Sequence, residues 1–129
     1  MVEGASRAIL AAVENEGRRD TRVLLADLPG PGRSALATLI DDVACVALVG
    51  EAGDSESLDV LMRETLPDVV IVDDRLLRAA PEPPTRTIAV GADDDPGFAA
   101  RAERLGAIGW VRKDLADVLL PPLLNPTDT

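Results

Sequence analysis

Five short apolar runs, separated by segments of helical periodicity, constrain the fold more than any other feature of the sequence. They lie at 22–27, 45–49, 68–73, 87–92 and 109–111. Runs that are apolar on both faces and alternate with helices are typical of a parallel sheet covered on both sides. The sequence therefore predicts an α/β fold, a three-layer sandwich around a five-stranded parallel sheet.

The segments between these runs carry apolar residues at helical spacing. Helices are predicted at 34–42, at 58–66 with Asp54 or Ser55 as cap, at 96–105, and at 115–124, where Pro121 and Pro122 disturb the pattern. Because each helix follows a strand, every strand connection has the form of a crossover.

The third crossover departs from this rhythm. It contains 13 residues between Asp73 and Thr87 (87 − 73 − 1 = 13), three of them proline. Proline limits helix to a turn or two, from Arg75 to Ala80. We therefore expect a stunted third helix, with the sheet below it covered by Leu76, Leu77 and the proline-rich segment, or by a partner.

The ends of the chain differ from its centre. Residues 1–20 are predicted as a leader helix or flexible extension, 21–124 as the domain, and 125–129 as a tail or the start of a linker. No apolar stretch approaches the roughly 20 residues of a membrane helix, and the N-terminus lacks a basic signal region. We expect a cytoplasmic protein without membrane contact.

Composition excludes several chemistries. The chain has no His and one Cys, which rules out imidazole acid–base catalysis, phosphohistidine and cysteine-built metal sites. The lone Cys45 lies in an apolar run and is predicted to be a buried small hydrophobe. A net charge of −10 argues against DNA binding by this chain itself, so DNA contact would need a separate domain.

Three charged residues and a glycine lie where the predicted strands end. Asp27 follows the first strand, Asp73 ends the third, Gly91 lies at the end of the fourth, and Lys113 comes just after the fifth. Ligands of open parallel sheets bind at this edge. Either aspartate alone could be a cap or turn residue, but together two carboxylates and an ammonium group indicate a site.

The same segments resemble response-regulator receiver domains of two-component signalling, in particular those that precede a LuxR/NarL-type helix-turn-helix. The resemblance covers about 21–124 and is carried by VLLAD at 23–27, VGEAGD at 49–54, PDVVIVD at 67–73 and GAIGWVRKD at 106–114. It implies a flavodoxin-like sheet with strand order 2-1-3-4-5.

The resemblance also implies roles for single residues. Asp73 matches the phosphoaccepting aspartate, Lys113 the lysine that pairs with the phosphoryl group, Asp27 the first of two Mg²⁺-binding acids, and Trp110 the switch aromatic. The second acid falls on Leu28. The Ser/Thr that binds the phosphoryl group and couples to the aromatic falls on Gly91.

These departures weaken phosphorylation chemistry. Without a carboxylate at Leu28, the metal site has only Asp27, Asp73, a backbone carbonyl at Arg75 and water, so we expect a weak Mg²⁺ site. Asp74 is a poor substitute, because adjacent strand residues point to opposite faces. Lys113 and Asp73 could form a metal-free ion pair. The missing hydroxyl at Gly91 removes one route by which a phosphorylated state would move Trp110.

Two functions follow as alternatives. The first is an atypical receiver in signal transduction and transcription regulation, acting by dimerisation or partner binding independently of phosphorylation. The second is a receiver phosphorylated on Asp73, by a histidine kinase or small phosphodonor, with weakened Mg²⁺ binding. An aspartate-nucleophile phosphatase would need an acid two residues after Asp73, where this chain has Arg75, so we do not expect an enzyme.

The resemblance finally implies a protein partner surface. Family members commonly dimerise through the face formed by the fourth helix, fifth strand and fifth helix. Here that face carries Arg101, Arg104, Arg112 and Asp117 as candidates for charge pairs between subunits. Each such surface pair would contribute little stability.

Overall fold

The computed structural model describes residues 20–79, 86–92 and 95–125. The leader predicted for 1–20 and the tail predicted for 125–129 lie outside these residues, apart from Asp20 and Asn125. Every structural statement below concerns the described residues.

A five-stranded, wholly parallel sheet forms the centre of the domain. Its strands are β1 (Thr21–Ala26), β2 (Val46–Ala52), β3 (Val69–Asp73), β4 (Thr87–Gly91) and β5 (Gly109–Arg112). Their order is β2-β1-β3-β4-β5. The predicted parallel sheet and the strand order implied by the family resemblance are both confirmed.

Helices cover both faces of this sheet. They are α1 (Pro31–Asp41), α2 (Ser55–Thr65), α3 (Asp74–Ala79), α4 (Phe98–Arg104) and α5 (Ala116–Leu124), the last preceded by a 3-10 turn (Lys113–Leu115). One apolar core lies between the sheet and α1 and α5, and a second between the sheet and α2, α3 and α4. The predicted three-layer sandwich and the stunted third helix, which has six residues, are confirmed.

Several element boundaries differ from the predicted ones. α4 begins at Phe98, because Pro96 and Gly97 lie in a turn in which the Phe98 N–H donates to the Asp95 carbonyl at 3.2 Å. β2 continues to Ala52, beyond the predicted end of this run at Val49, since its backbone keeps pairing with β1. α5 runs through both prolines, whose missing N–H groups leave two intrahelical hydrogen bonds unmade.

The prediction that Cys45 is buried is wrong. Its side chain is exposed, and its backbone has a φ of 63° immediately before β2. The Cys45 carbonyl accepts a hydrogen bond from the Thr21 N–H at 2.9 Å, so the residue forms the entry turn of the strand. The apolar run continues through this turn, which is why the sequence pattern misplaced the residue.

Among the described residues, no helix is long and apolar enough to cross a membrane. Their longest helices have 11 residues.

The start of α2 provides a test of local stability. The Asp54 carboxylate accepts the Ser57 N–H at 2.7 Å, and the Ser57 hydroxyl oxygen accepts the Asp54 N–H at 3.4 Å, which together form a capping box. Asp54→Ala is expected to lower the free energy of unfolding by about 1 kcal/mol in urea denaturation. Glu64→Ala, an exposed site in the last turn of the same helix, is the control. Equal losses in both variants would contradict a capping role for Asp54.

Candidate functional site

Two nearly inaccessible carboxylates lie side by side at the carboxyl edge of the sheet. Asp27 directly follows β1 and Asp73 ends the adjacent strand β3, and the two residues are 1% and 2% exposed. Removing two like charges from water is strongly unfavourable unless cations or hydrogen-bond donors compensate. The arrangement therefore requires positive charge nearby.

Lys113 supplies the first positive charge. It is the first residue after β5, and its Nζ lies 2.6 Å from Asp73 Oδ2 and 3.1 Å from Asp27 Oδ2. One ammonium group thus bridges both carboxylates. The structure brings together the three charged residues that the sequence singled out.

Arg75 supplies the second positive charge, and the sequence analysis missed this role. Its Nε lies 2.9 Å from Asp73 Oδ1 and its Nη2 lies 3.2 Å from Asp73 Oδ2, a bidentate pair. The Arg75 N–H also donates to Asp73 Oδ1 at 2.7 Å, and Nη2 lies 3.8 Å from Asp27 Oδ1. The formal charges of the two aspartates, Lys113 and Arg75 sum to zero.

These contacts set the ionisation of Asp73. Burial of the carboxyl group favours its neutral form, but hydrogen bonds from the Arg75 side chain, Lys113 and the Arg75 backbone outweigh it. They lower the pKa of Asp73 from 3.8 to about 2. The carboxylate is therefore charged and fully engaged at neutral pH.

Leu28 occupies the position of the second acid and brings no metal ligand. Its backbone N–H donates to Asp27 Oδ1 at 2.7 Å, while its side chain is partly exposed at the rim of the site. Across the described residues, no group of three or more His, Cys, Asp or Glu side chains is placed to hold a metal ion. Mg²⁺ could bind here only by displacing the Arg75 guanidinium from Asp73, so the residues present fit the ion poorly.

Asp74 has a different partner from Asp73. Its carboxylate receives two hydrogen bonds from Arg101 of α4, from Nε at 2.9 Å and from Nη2 at 2.6 Å. The same Arg101 group also pairs with Asp95. Asp74 is thus held by α4 and does not replace the missing acid, and Arg101 is engaged within its own chain, although the resemblance offered it for pairing between subunits.

Gly91 ends β4 beside the acidic site, and an aromatic ring covers it. A Cβ placed on Gly91 would lie 2.6 Å from Cδ1 and 2.7 Å from Cε1 of Phe98, the first residue of α4. Real Cβ atoms do not approach other heavy atoms so closely. With Phe98 in this position, residue 91 cannot be the Ser or Thr of the family pattern.

Trp110, the predicted switch aromatic, lies on the edge strand β5 in register with Ala89 of β4. Its side chain is 39% exposed, so the indole is not enclosed in the core. Its role as a switch stays a prediction.

A cavity of about 310 Å³ opens at the site. It is lined by the charged and small residues described above, namely Asp73, Asp74, Arg75, Gly91, Ala92, Asp95 and Lys113. Its size leaves room for a small group beside Asp73. Of its charged residues, however, Asp73, Arg75 and Lys113 are already paired with one another, and Asp74 and Asp95 are paired with Arg101.

Two features of this site could not be found by matching residues to family positions. The family pattern gives the Arg75 side chain no partner at the site and places Phe98 only within a helix. The signal for Arg75 was an arginine two residues after a buried acid at the start of a short helix, a spacing that allows a side-chain pair. For Phe98, the signal was a glycine at a strand end with an aromatic residue seven positions later.

Comparison with known proteins shows which proteins the chain is similar to. No protein-family model matches the chain. The chain is 30% identical over 112 residues to the probable transcriptional regulatory protein NarL of Mycobacterium tuberculosis, covering 79% of this chain and 52% of that protein. It is 29% identical over 103 residues to the uncharacterised transcriptional regulatory protein YxjL of Bacillus subtilis, covering 72% and 47%. The chain thus spans about half the length of the curated relatives it matches.

Solved structures agree with these relatives. The signal receiver domain of the putative response regulator NarL from Mycobacterium tuberculosis superposes with a TM-score of 0.70 at 26% identity, covering 84% of this chain and 96% of that one. A LuxR-family two-component response regulator from Aurantimonas gives a TM-score of 0.65 at 28% identity, covering 78% and 79%. In its sheet order, its acidic edge and these likenesses, the chain is similar to response-regulator receiver domains of the NarL/LuxR type.

Proposed function

We propose that this receiver works as a scaffold for protein contacts, with its acidic site neutralised from within rather than by Mg²⁺ and phosphorylation. The bidentate pair between Arg75 and Asp73 carries this proposal, since it occupies both oxygens of the only candidate phosphoacceptor. The domain would be a non-enzymatic module in signal transduction and transcription regulation.

The charge balance supports this proposal. Phosphoryl transfer to a carboxylate needs cations placed against the phosphoryl oxygens. Here Lys113 and Arg75 are both paired with Asp73 and Asp27. Leu28 offers no ligand for a further cation. Mg²⁺ binding at this site would therefore be weak.

The output surface would be the face formed by α4, β5 and α5, used for a homodimer. The outward side of α5 is apolar, although it faces solvent in the single chain. The exposed apolar residues of α5 and of the 3-10 turn before it are Leu115, Val118, Leu119 and Leu123. Exposed apolar area of this kind is usually covered by a partner, so a second subunit would cover this side.

Regulation of transcription would require a further domain. The relatives are named as transcriptional regulatory proteins and are about twice the length of this match. The net charge of −10 makes DNA contact through this domain itself unfavourable, so a separate helix-turn-helix domain would make it. Another protein would deliver the signal in the cytoplasm, whereas a histidine kinase would do so in the phosphorylated alternative below.

A second candidate function is a receiver that accepts a phosphoryl group on Asp73. It is favoured by the Lys113 Nζ, 2.6 Å from Asp73 Oδ2, and by the cavity beside the carboxylate. In this case Arg75 would swing away, which is sterically open because its side chain is 54% exposed.

Phosphorylation distinguishes the two candidates. We expect intact-protein mass spectrometry to find no phosphoryl adduct on the wild-type chain after incubation with acetyl phosphate and millimolar Mg²⁺. Arg75→Ala, which removes the guanidinium from both oxygens of Asp73 and leaves Lys113 on Oδ2, is expected to gain an adduct and to bind Mg²⁺ more tightly in calorimetry. The gained adduct should disappear in the Asp73→Asn/Arg75→Ala double variant.

An adduct on the wild-type chain that is lost in Asp73→Asn would contradict the phosphorylation-independent function. Arg104→Ala is the matched control, because it removes an arginine away from the site and should leave both readouts as in the wild type.

The lowered pKa of Asp73 predicts a pH dependence. A carboxyl group with a depressed pKa in the folded state stabilises the fold above its unfolded pKa of about 3.8, and this stabilisation is lost as the pH falls toward about 2. The stability difference between wild type and Asp73→Asn should therefore shrink by about 2 kcal/mol between pH 5 and pH 2. Urea denaturation at several pH values measures it. A difference that stays constant with pH would contradict the ion-pair assignment.

The dimer has its own test. Val118→Asp places a charge on the outward side of α5, where Val118 is 65% exposed, and should weaken self-association about tenfold or more. Val60→Asp, at an exposed site on α2, is the matched control and should leave it unchanged. Sedimentation equilibrium measures both constants. A monomeric wild type, or equal effects of the two variants, would exclude this dimer face.

A further inference from the structure

We propose that Phe98 is a fixed plug over Gly91 and that, together with Arg101, it holds α4 in one position regardless of the state of Asp73. The lock is defined by four residues: Phe98 and Arg101 on α4, Gly91 at the end of β4, and Asp74 at the start of α3. It goes beyond the proposed function, because it concerns how α4 is held and not whether Asp73 reacts.

The first half of the lock is the fit between a ring and a glycine. Phe98 is 3% exposed and belongs to the same apolar core as Ala89 and Ala102. Three atoms of its ring lie within 2.9 Å of the position that a Cβ on Gly91 would occupy. The ring can lie this close to the strand only because residue 91 has no side chain.

The second half is a charge clamp one turn later on the same helix. Arg101 brackets Asp74 with two hydrogen bonds and pairs with Asp95 as well, and its side chain is only 18% exposed. Asp74 is itself buried. Moving α4 away would leave that carboxylate buried without this partner, which is costly.

The lock also bears on Trp110. Residues in register on parallel strands point to the same face, so Trp110 shares the α4 side of the sheet with Ala89. Gly91 is the next residue of β4 on that face, and the Phe98 ring covers it. The inward path of the indole along β4 is therefore filled, which is consistent with its 39% exposure.

A consequence is that a change at Asp73 is not transmitted to α4 through the end of β4. Gly91 has no hydroxyl group with which to contact a ligand on Asp73, and Phe98 fills the space through which a side chain there would act. The face formed by α4, β5 and α5 is then preset in one arrangement.

A double-mutant cycle tests the plug. Gly91→Ala should destabilise the wild-type chain in urea denaturation, because the new Cβ collides with the ring. In the Phe98→Ala background the same change should cost little or nothing, since the ring is gone. Gly109→Ala is the matched control: its Cβ would have no neighbour closer than 3.7 Å, so its effect should be equal in both backgrounds.

Additive effects of Gly91→Ala and Phe98→Ala would overturn the plug. If Phe98→Ala does not fold by circular dichroism, Phe98→Leu carries the same cycle, because it retains an apolar side chain while removing the flat ring.

A second readout tests the lock itself. The chain contains a single tryptophan, so acrylamide quenching of its fluorescence reports Trp110 directly. Phe98→Ala is expected to lower the quenching constant, as the indole enters the vacated volume, and Arg101→Lys to speed amide hydrogen exchange in α4. Asp73→Asn and Arg75→Ala should change neither. A shift of Trp110 or α4 in those two site variants would overturn the lock, whereas an adduct on wild-type Asp73 would overturn only the proposed function.

Discussion

The burial of two carboxylates at the end of a parallel sheet is the constraint on which the rest of this domain depends. Strand β1 and strand β3 are adjacent, so Asp27 and Asp73 cannot avoid each other. Each charge would destabilise the fold without compensation. Lys113 contacts both carboxylates from the end of the edge strand β5. Arg75, two residues after Asp73 in the chain, contacts Asp73. The chain itself thus supplies the positive charge that a hard metal ion would bring to such a site.

Adjacent residues at the end of β3 serve two different clusters. Asp73 points to Lys113 and Arg75, whereas Asp74 points to Arg101 on α4. This division follows from the change of direction between a strand end and the helix that begins there. One dipeptide therefore anchors both the acidic site and the helix beside it, and each anchor is closed by its own arginine.

The sequence could predict the sheet because burial on both faces leaves a direct pattern of short apolar runs, and it could predict the meeting of Asp27, Asp73 and Lys113 because parallel strands end at one edge. It could not predict the Arg75 pair or the Phe98 ring, since these depend on which rotamer the packing selects. The prediction that Cys45 is buried was wrong for a related reason. Apolar character continues through the turn before β2, where Cys45 has a positive φ and its side chain is exposed. Pattern reasoning located the start of each strand to within one residue, but it did not give the exposure of the side chain in the turn before β2.

Internal neutralisation and the plug over Gly91 have a common physical effect, which is to reduce the differential contacts that a bound group could make. A ligand shifts a conformational equilibrium only by the difference in its interaction with the two states. At Asp73 a phosphoryl group would first have to release Arg75, and at Gly91 it would find no hydroxyl group to draw inward. Little free energy would remain to move α4, which Arg101 ties to a buried carboxylate. In the proposed function, a signal would be received where apolar area is still uncovered, on the outward side of α5, because covering this area releases water without disturbing either cluster.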